Sequence, residues 1–180
     1  MTNADRPWSV TIRLDEVGET SRHIELEAED VMRAALAKPL GVDAVERLVA
    51  RFDLTRRGRD RLHVSGDVSG RVRQTCVVTL EPLVNELTEA VDVDFAPLGE
   101  AKNDAADIDL DAASSSEEPE PLVGNAVDLG LLATEFFLLG IDPYPRKPGA
   151  AFEAPKSASD PASHPFAGLA ALQKKSTVKE

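Results

Sequence analysis

Between Arg61 and Thr79, apolar or small residues fall on every second position but one, that of Gln74: Leu62, Val64, Gly66, Val68, Gly70, Val72, Cys76 and Val78. The alternate set, His63, Ser65, Asp67, Ser69, Arg71, Arg73 and Thr75, is polar. This period of two predicts a strand with one face on a core and the other toward water or a partner. Strands commonly run about 5 to 6 residues, so a run of this length with Gly66 and Gly70 on its inner face predicts a strongly bent strand in a curled sheet or barrel. Ala44 to Arg57 alternates in the same way, with Leu48, Ala50, Phe52 and Leu54 on even positions and Arg47, Arg51, Asp53, Thr55 and Arg57 on odd ones. For both apolar faces to meet one core, the loop between the strands must be odd in length, and Gly58-Arg59-Asp60 supplies it. That register sets Arg51 opposite Asp67, Asp53 opposite Ser65, and Arg47 opposite Arg71.

The remaining elements are placed around this hairpin. Ser9 to Leu14 and His23 to Ala28 alternate as half-buried strands joined by a turn at Gly18, and Asp30 is the expected cap of a short helix through Val31, Ala34, Ala35 and Leu36. After the turn signal Glu81-Pro82, Leu87, Val91, Val93 and Phe95 share one face of a third antiparallel strand, against Thr88, Asp92 and Asp94. From Asn125 or Asp128 to Ile141 runs a helix apolar nearly all round, ended by Asp142-Pro143, which predicts burial across the sheet or in an oligomer interface. The fold class expected is α+β: a curled antiparallel sheet or partly open barrel with one buried C-terminal helix and a short N-terminal helix. The expected organisation is a β-rich core over 1–96, a linker over 97–121, the helix completing the core over 122–150, and a Pro-rich tail over 151–180 with a short terminal helix.

Charge changes the picture. The net charge is −12 over 180 residues, which taken alone argues against nucleic acid. Between Pro97 and Pro121, however, Glu100, Asp104, Asp107, Asp109, Asp111, Glu117, Glu118 and Glu120 stand against Lys102, so this one segment holds over half of the excess. Such a stretch, without aromatics, is expected to be a mobile linker. With a single Trp8, a single Tyr144 and 4% aromatic residues, base stacking has little material, and any bound nucleic acid would be held mainly by its phosphates. No stretch reaches the roughly 20 apolar residues of a membrane span, and no basic stretch followed by an apolar core opens the chain. A soluble, cytoplasmic protein without membrane association is expected.

The sequence offers no catalytic residue, metal site or cofactor. His23, His63 and His164 lack second ligands at metal spacing, and Cys76 has no partner thiol. No phosphate-cradling, nucleophile-elbow or zinc-protease motif is present, so no enzyme is expected. Cys76 has the apolar parity of its strand and reads as a small buried side chain. The feature that departs from a neutral scaffold is arginine: Arg47, Arg51, Arg57, Arg71 and Arg73 fall on one outer face. Guanidinium suits phosphate bidentately, so these five are the candidate RNA contact; a solvated face with cross-strand pairs is the plain alternative. In the tail, Phe166 and Leu169 at helical spacing before Lys174 and Lys175 form a candidate protein-docking turn.

Three stretches carry a resemblance: Gln74-Thr75-Cys76-Val77-Val78-Thr79-Leu80-Glu81-Pro82, then Val127-Asp128-Leu129-Gly130 to Asp142-Pro143-Tyr144-Pro145-Arg146, then His164-Pro165-Phe166-Ala167-Gly168-Leu169 to Lys174-Lys175. Together they resemble the YceD family of large ribosomal RNA subunit accumulation proteins. The resemblance implies a non-enzymatic role in the synthesis, processing or stability of large-subunit ribosomal RNA, with precursor rRNA or assembly intermediates as partners. Many members carry Cys-x-x-Cys at the first stretch; here the second position is Thr79, so no metal or redox role carries over. Two expectations follow: an RNA-associated assembly factor acting through the arginine face, or an adaptor whose acidic linker and Phe166 turn engage a basic ribosomal protein.

Overall fold

The computed structural model describes residues 7–97 and 119–152. The chain divides into two units, Met1–Pro148 and Gly149–Glu180; every element below belongs to the first. In chain order these are β1 (Thr11–Arg13), a single 3-10 turn (Leu14–Glu16), β2 (Arg22–Glu27), α1 (Asp30–Ala37), β3 (Ala44–Arg57), β4 (Arg61–Thr75), β5 (Pro82–Pro97), β6 (Glu120–Leu122), β7 (Ala126–Asp128) and α2 (Leu129–Leu139). The expected linker over 97–121 has its ends in β5 and β6, while its middle lies outside the described residues, as do Phe166, Leu169, Lys174 and Lys175.

A five-stranded sheet in the order β2-β3-β4-β5-β6 forms the body, antiparallel except for the parallel β5–β6 pair, and it is open rather than closed on itself. The expected α+β class is the one found. β3 and β4 pair through the three-residue loop in the expected register: Arg51 opposite Asp67, Asp53 opposite Ser65, Arg47 opposite Arg71. A bulge between Val45 and Arg47 is the one irregularity in that ladder. It lets Val45 and Leu48 both face inward, and it puts Glu46 and Arg47 out together.

The core gathers the even face of β3 and β4 (Leu48, Ala50, Phe52, Leu54, Leu62, Val64, Val68, Val72) under α2, whose Leu129, Leu132, Ala133 and Phe137 are buried. Asp128 caps α2, accepting from the amides of Gly130 and Leu131 at 3.1 and 3.2 Å, and it accepts from the Val10 amide at 2.9 Å. The two inner-face glycines are required by contact. A Cβ on Gly70 would sit 2.7 Å from Phe137 Cε2 and 2.2 Å from the Arg47 carbonyl oxygen, and one on Gly66, at φ +151°, would meet the Arg51 carbonyl oxygen at 1.9 Å.

Four local expectations are corrected. β1 and β2 are not a pair: β1 forms a separate two-stranded ribbon with β7, because Ile12 joins Val127 in covering the end of the core. Asp30 does not cap α1. Glu29 holds the cap position without a side-chain bond, and Asp30 is the first helical residue, paired with Arg33 one turn on. The long strand stops at Thr75 rather than Thr79: the Cys76 amide bonds the Glu81 carbonyl at 2.9 Å and the Leu80 amide bonds the Cys76 carbonyl at 2.9 Å, closing a turn. The helix expected to be buried all round leaves Leu138 and Leu139 exposed at its last turn.

The turn after β4 holds Leu80 at φ 58° with its side chain open to water. A left-handed conformation costs an L residue about 1–2 kcal/mol, and Asn tolerates it better. Leu80→Asn is therefore expected to raise stability by about 0.5–1 kcal/mol, measured as an upward shift of the denaturant midpoint at unchanged slope.

Candidate nucleic-acid interface

The β3–β4 register places Arg47, Arg51, Arg57, Arg71 and Arg73 on the face of the sheet opposite α2, as the alternation predicts. The neighbouring strands contribute the counter-charges. β2 pairs with β3 so that Glu25 lies opposite Arg51 and Glu27 opposite Val49, and β5 pairs with β4 so that Glu86 lies opposite Arg71 and Asp94 opposite His63. Arg51 bonds Glu25 at 3.0 Å and lies 3.8 Å from Asp67. Arg57 holds Asp94 at 2.8 Å, and His63 reaches the same carboxylate at 3.1 Å.

The opposite end of the hairpin is less compensated. Arg71 pairs with Glu86, with Nε 3.1 Å from Oε1, and this carboxylate holds the guanidinium still more firmly protonated than usual. Among the described residues Arg73 has only Glu46, at 3.9 Å, and Arg47 makes no ion pair. Arg47, Arg71 and Arg73 thus stand as three guanidiniums against two carboxylates. Over the whole outer face Arg47, Arg51, Arg57, Arg61, Arg71 and Arg73 stand among Glu25, Glu27, Glu46, Asp53, Asp67, Glu86, Asp92 and Asp94, so carboxylates outnumber guanidiniums on the face as a whole and guanidiniums outnumber carboxylates only at this end.

A second arrangement has almost no signature in the sequence. The stretch after β4 and the stretch after α2 are clasped together: the buried Gln74 donates to the Asp142 carbonyl at 2.8 Å, the Val77 amide to the Pro145 carbonyl at 2.9 Å, and Lys147 pairs with Glu81 at 2.8 Å. At the centre is Cys76, fully buried, its sulfur accepting from the amides of Thr79 at 3.4 Å and Lys147 at 3.3 Å. Hydrogen bonds from Thr79, through its side chain and its amide, and then from the Lys147 amide pull the thiol down to about 6, against the upward push of burial. Cys76 is buried as expected, but as an acceptor in a polar nest rather than as a bland apolar side chain. The only signal of this in the sequence is Thr79 at the i+3 position. Among the described residues no group of His, Cys, Asp and Glu is arranged to hold a metal ion, and no helix is long and apolar enough to cross a membrane.

Because the folded thiol ionises near 6 against an ordinary 9.0, the thiolate favours the fold. That contribution is complete above pH 9 and disappears as the pH falls through 6. The difference in melting temperature between the protein and Cys76→Ala is expected to be largest above pH 9, to shrink as the pH falls from 9 to 6 and to have lost this contribution below pH 6, as read by thermal denaturation across the range.

The two clasped stretches lie within the span recognised by a family model. Residues 64–173 match the model of the large ribosomal RNA subunit accumulation protein YceD, which is more than half of the chain. The chain belongs to the YceD family. No curated protein and no solved structure matches it. The YceD match takes in β5, α2 and nearly all of β4 but leaves out β3, so of the five arginines only Arg71 and Arg73 lie inside it.

Proposed function

We propose that this YceD-family member is a non-enzymatic factor in the accumulation of large-subunit ribosomal RNA, and that it contacts the precursor through the Arg47–Arg71–Arg73 end of the β3–β4 hairpin. The observation that carries the contact is the like-charged Arg47–Arg71 pair across the ladder. Like charges directly opposite one another are unfavourable, and an anion between them relieves the repulsion. Glu86 supplies part of that relief from β5. An exposed ion pair of this kind is worth about 0.2–1 kcal/mol, so Arg71 exchanges it for a phosphate at little cost. Arg51 and Arg57, each held by a carboxylate on a neighbouring strand, are placed second in this reading.

Over the rest of the face Arg51, Arg57 and Arg61 stand among Glu25, Glu27, Asp53, Asp67, Asp92 and Asp94, and this excess of carboxylate favours a second reading, in which the protein is an adaptor for a ribosomal or assembly protein and the arginines only solvate the sheet. Recovery of the tagged protein from lysate, with and without ribonuclease, separates the two. Large-subunit precursor RNA is expected with the protein as it stands and is expected to be lost from Arg47→Ala, Arg71→Ala. Equal recovery of ribosomal proteins after ribonuclease, with RNA unaffected by the double change, would establish the adaptor.

A further inference from the structure

We propose that the groove between α2 and the free edge of β5 takes an extended, lysine- or arginine-rich segment of a partner protein, added as a strand alongside Ala90–Asp94. This goes beyond the RNA contact above and does not depend on it. Three observations meet here.

The first is the edge. β5 runs sixteen residues, Pro82–Pro97, but β6 pairs with it only at Phe95, Ala96 and Pro97. Along Pro82–Asp94 the side of β5 away from β4 has no strand partner among the described residues. Such an edge offers a row of amides and carbonyls to any extended segment. β6 already uses it, in parallel orientation, at the far end.

The second is the floor. Beside the edge lies a groove of about 980 Å³, lined on its apolar side by Val93 and Phe95 of β5 and by Leu131, Leu132 and Phe136 of α2. A strand laid along β5 points alternate side chains into that floor and alternate ones outward. Carboxylates on a strand edge also serve simply to keep other chains away. A bare protective edge has no use for an apolar trough of this size beside it.

The third is charge. Among the described residues the lining includes Asp92, Asp94, Glu120, Asp128 and Glu135 and no Lys, Arg or His, and β5 itself carries Glu86, Glu89, Asp92 and Asp94 with no cation. Asp94 is held by Arg57 and His63 and Asp128 caps α2, whereas Asp92 meets only His63 among the described residues, at 3.9 Å, with its side chain 80% exposed. The occupant that fits is therefore basic on its outward positions and apolar on its inward ones. The chain's own continuation of β6 does not meet this condition, since the residues preceding it are Glu117, Glu118 and Pro119, like-charged with the edge and ending in a residue without an amide donor.

The test uses the full chain and an acetylated, amidated peptide of about seven alternating lysines and valines. Binding is expected, with slowed amide exchange at Ala90–Asp94. It is expected to weaken by about tenfold or more in Asp92→Lys, Glu120→Lys, and by a similar factor when alternate peptide amides are N-methylated, which keeps the charge and removes the strand bonds. Equal affinity of the methylated peptide, or of an alternating glutamate–valine peptide, would overturn the proposal. So would protection of the same amides by an oligouridylate, which would assign the groove to RNA. Loss of a dimer in the double variant would assign it to a second copy, and peptide binding that appears only after deletion of residues 104–117 would assign it to the chain's own linker.

Discussion

Phe137→Ala is expected to cost about 3–5 kcal/mol, at the top of the range for truncating a single core side chain. Phe137 is fully buried, projects from the last turns of α2, and its ring edge lies over Gly70 of β4. The glycine opposite it has no side chain to swing into the space, and the strand beneath is pinned on both sides by β3 and β5. The site is therefore unable to collapse around the missing ring, which is the condition under which a cavity costs most. Chemical denaturation would read the loss as a lowered midpoint at unchanged slope. A loss below about 1 kcal/mol would mean that α2 does not seal the core.

Gly66→Ala is expected to cost roughly 3 kcal/mol, for a different reason. At φ +151° the backbone is in a region that L side chains rarely adopt, and the added carbon would collide with the Arg51 carbonyl at 1.9 Å. Relief requires β3 and β4 to separate at the point where Gly66 lies opposite Phe52 and Val91. A thermal midpoint lowered by about 10 °C is the expected reading; an unchanged midpoint would contradict the close strand approach. The two variants also separate helix docking from strand pairing, because only Gly66→Ala disturbs the register that positions the arginines.

The centre of the fold was legible because two constraints acted together. Alternation fixed which side chains of β3 and β4 face inward, and the odd loop at Gly58–Asp60 then left one register, down to Arg47 opposite Arg71. Parity also ordered β5 correctly, since Leu87, Val91, Val93 and Phe95 reach the inner face even with Glu89 among them. What the sequence hid was non-local. Nothing in Thr11–Arg13 announces a partner at Ala126–Asp128, because three-residue strands carry too little pattern to choose between neighbours. The end of β4 was overshot because Cys76 and Val78 continue the alternation while the backbone already turns to bond Glu81.

The candidate site divides in the same way. The arginines' shared face followed from period two, but their neutralisation did not, because Glu25 and Glu86 are brought in by β2 and β5, whose registers the alternation alone leaves open. The acidity of the clasped thiol was hidden for a related reason: Thr79, its main cause, bonds the sulfur only because the chain turns after Thr75, and the Lys147 amide is brought to it from beyond α2 in the chain.

The most direct measurement of the RNA contact is the salt dependence of binding to large-subunit precursor RNA, compared between the protein and the folded variant Arg47→Ala, Arg71→Ala. Each phosphate contact contributes about 0.7 to 0.9 to the slope of log affinity against log salt. If the two arginines hold phosphates, the variant binds more weakly with a slope flatter by about 1.4 to 1.8, and its thermal midpoint is unchanged or slightly raised once the like-charged pair is gone. An identical affinity and an identical slope in a variant shown to be folded would contradict the contact.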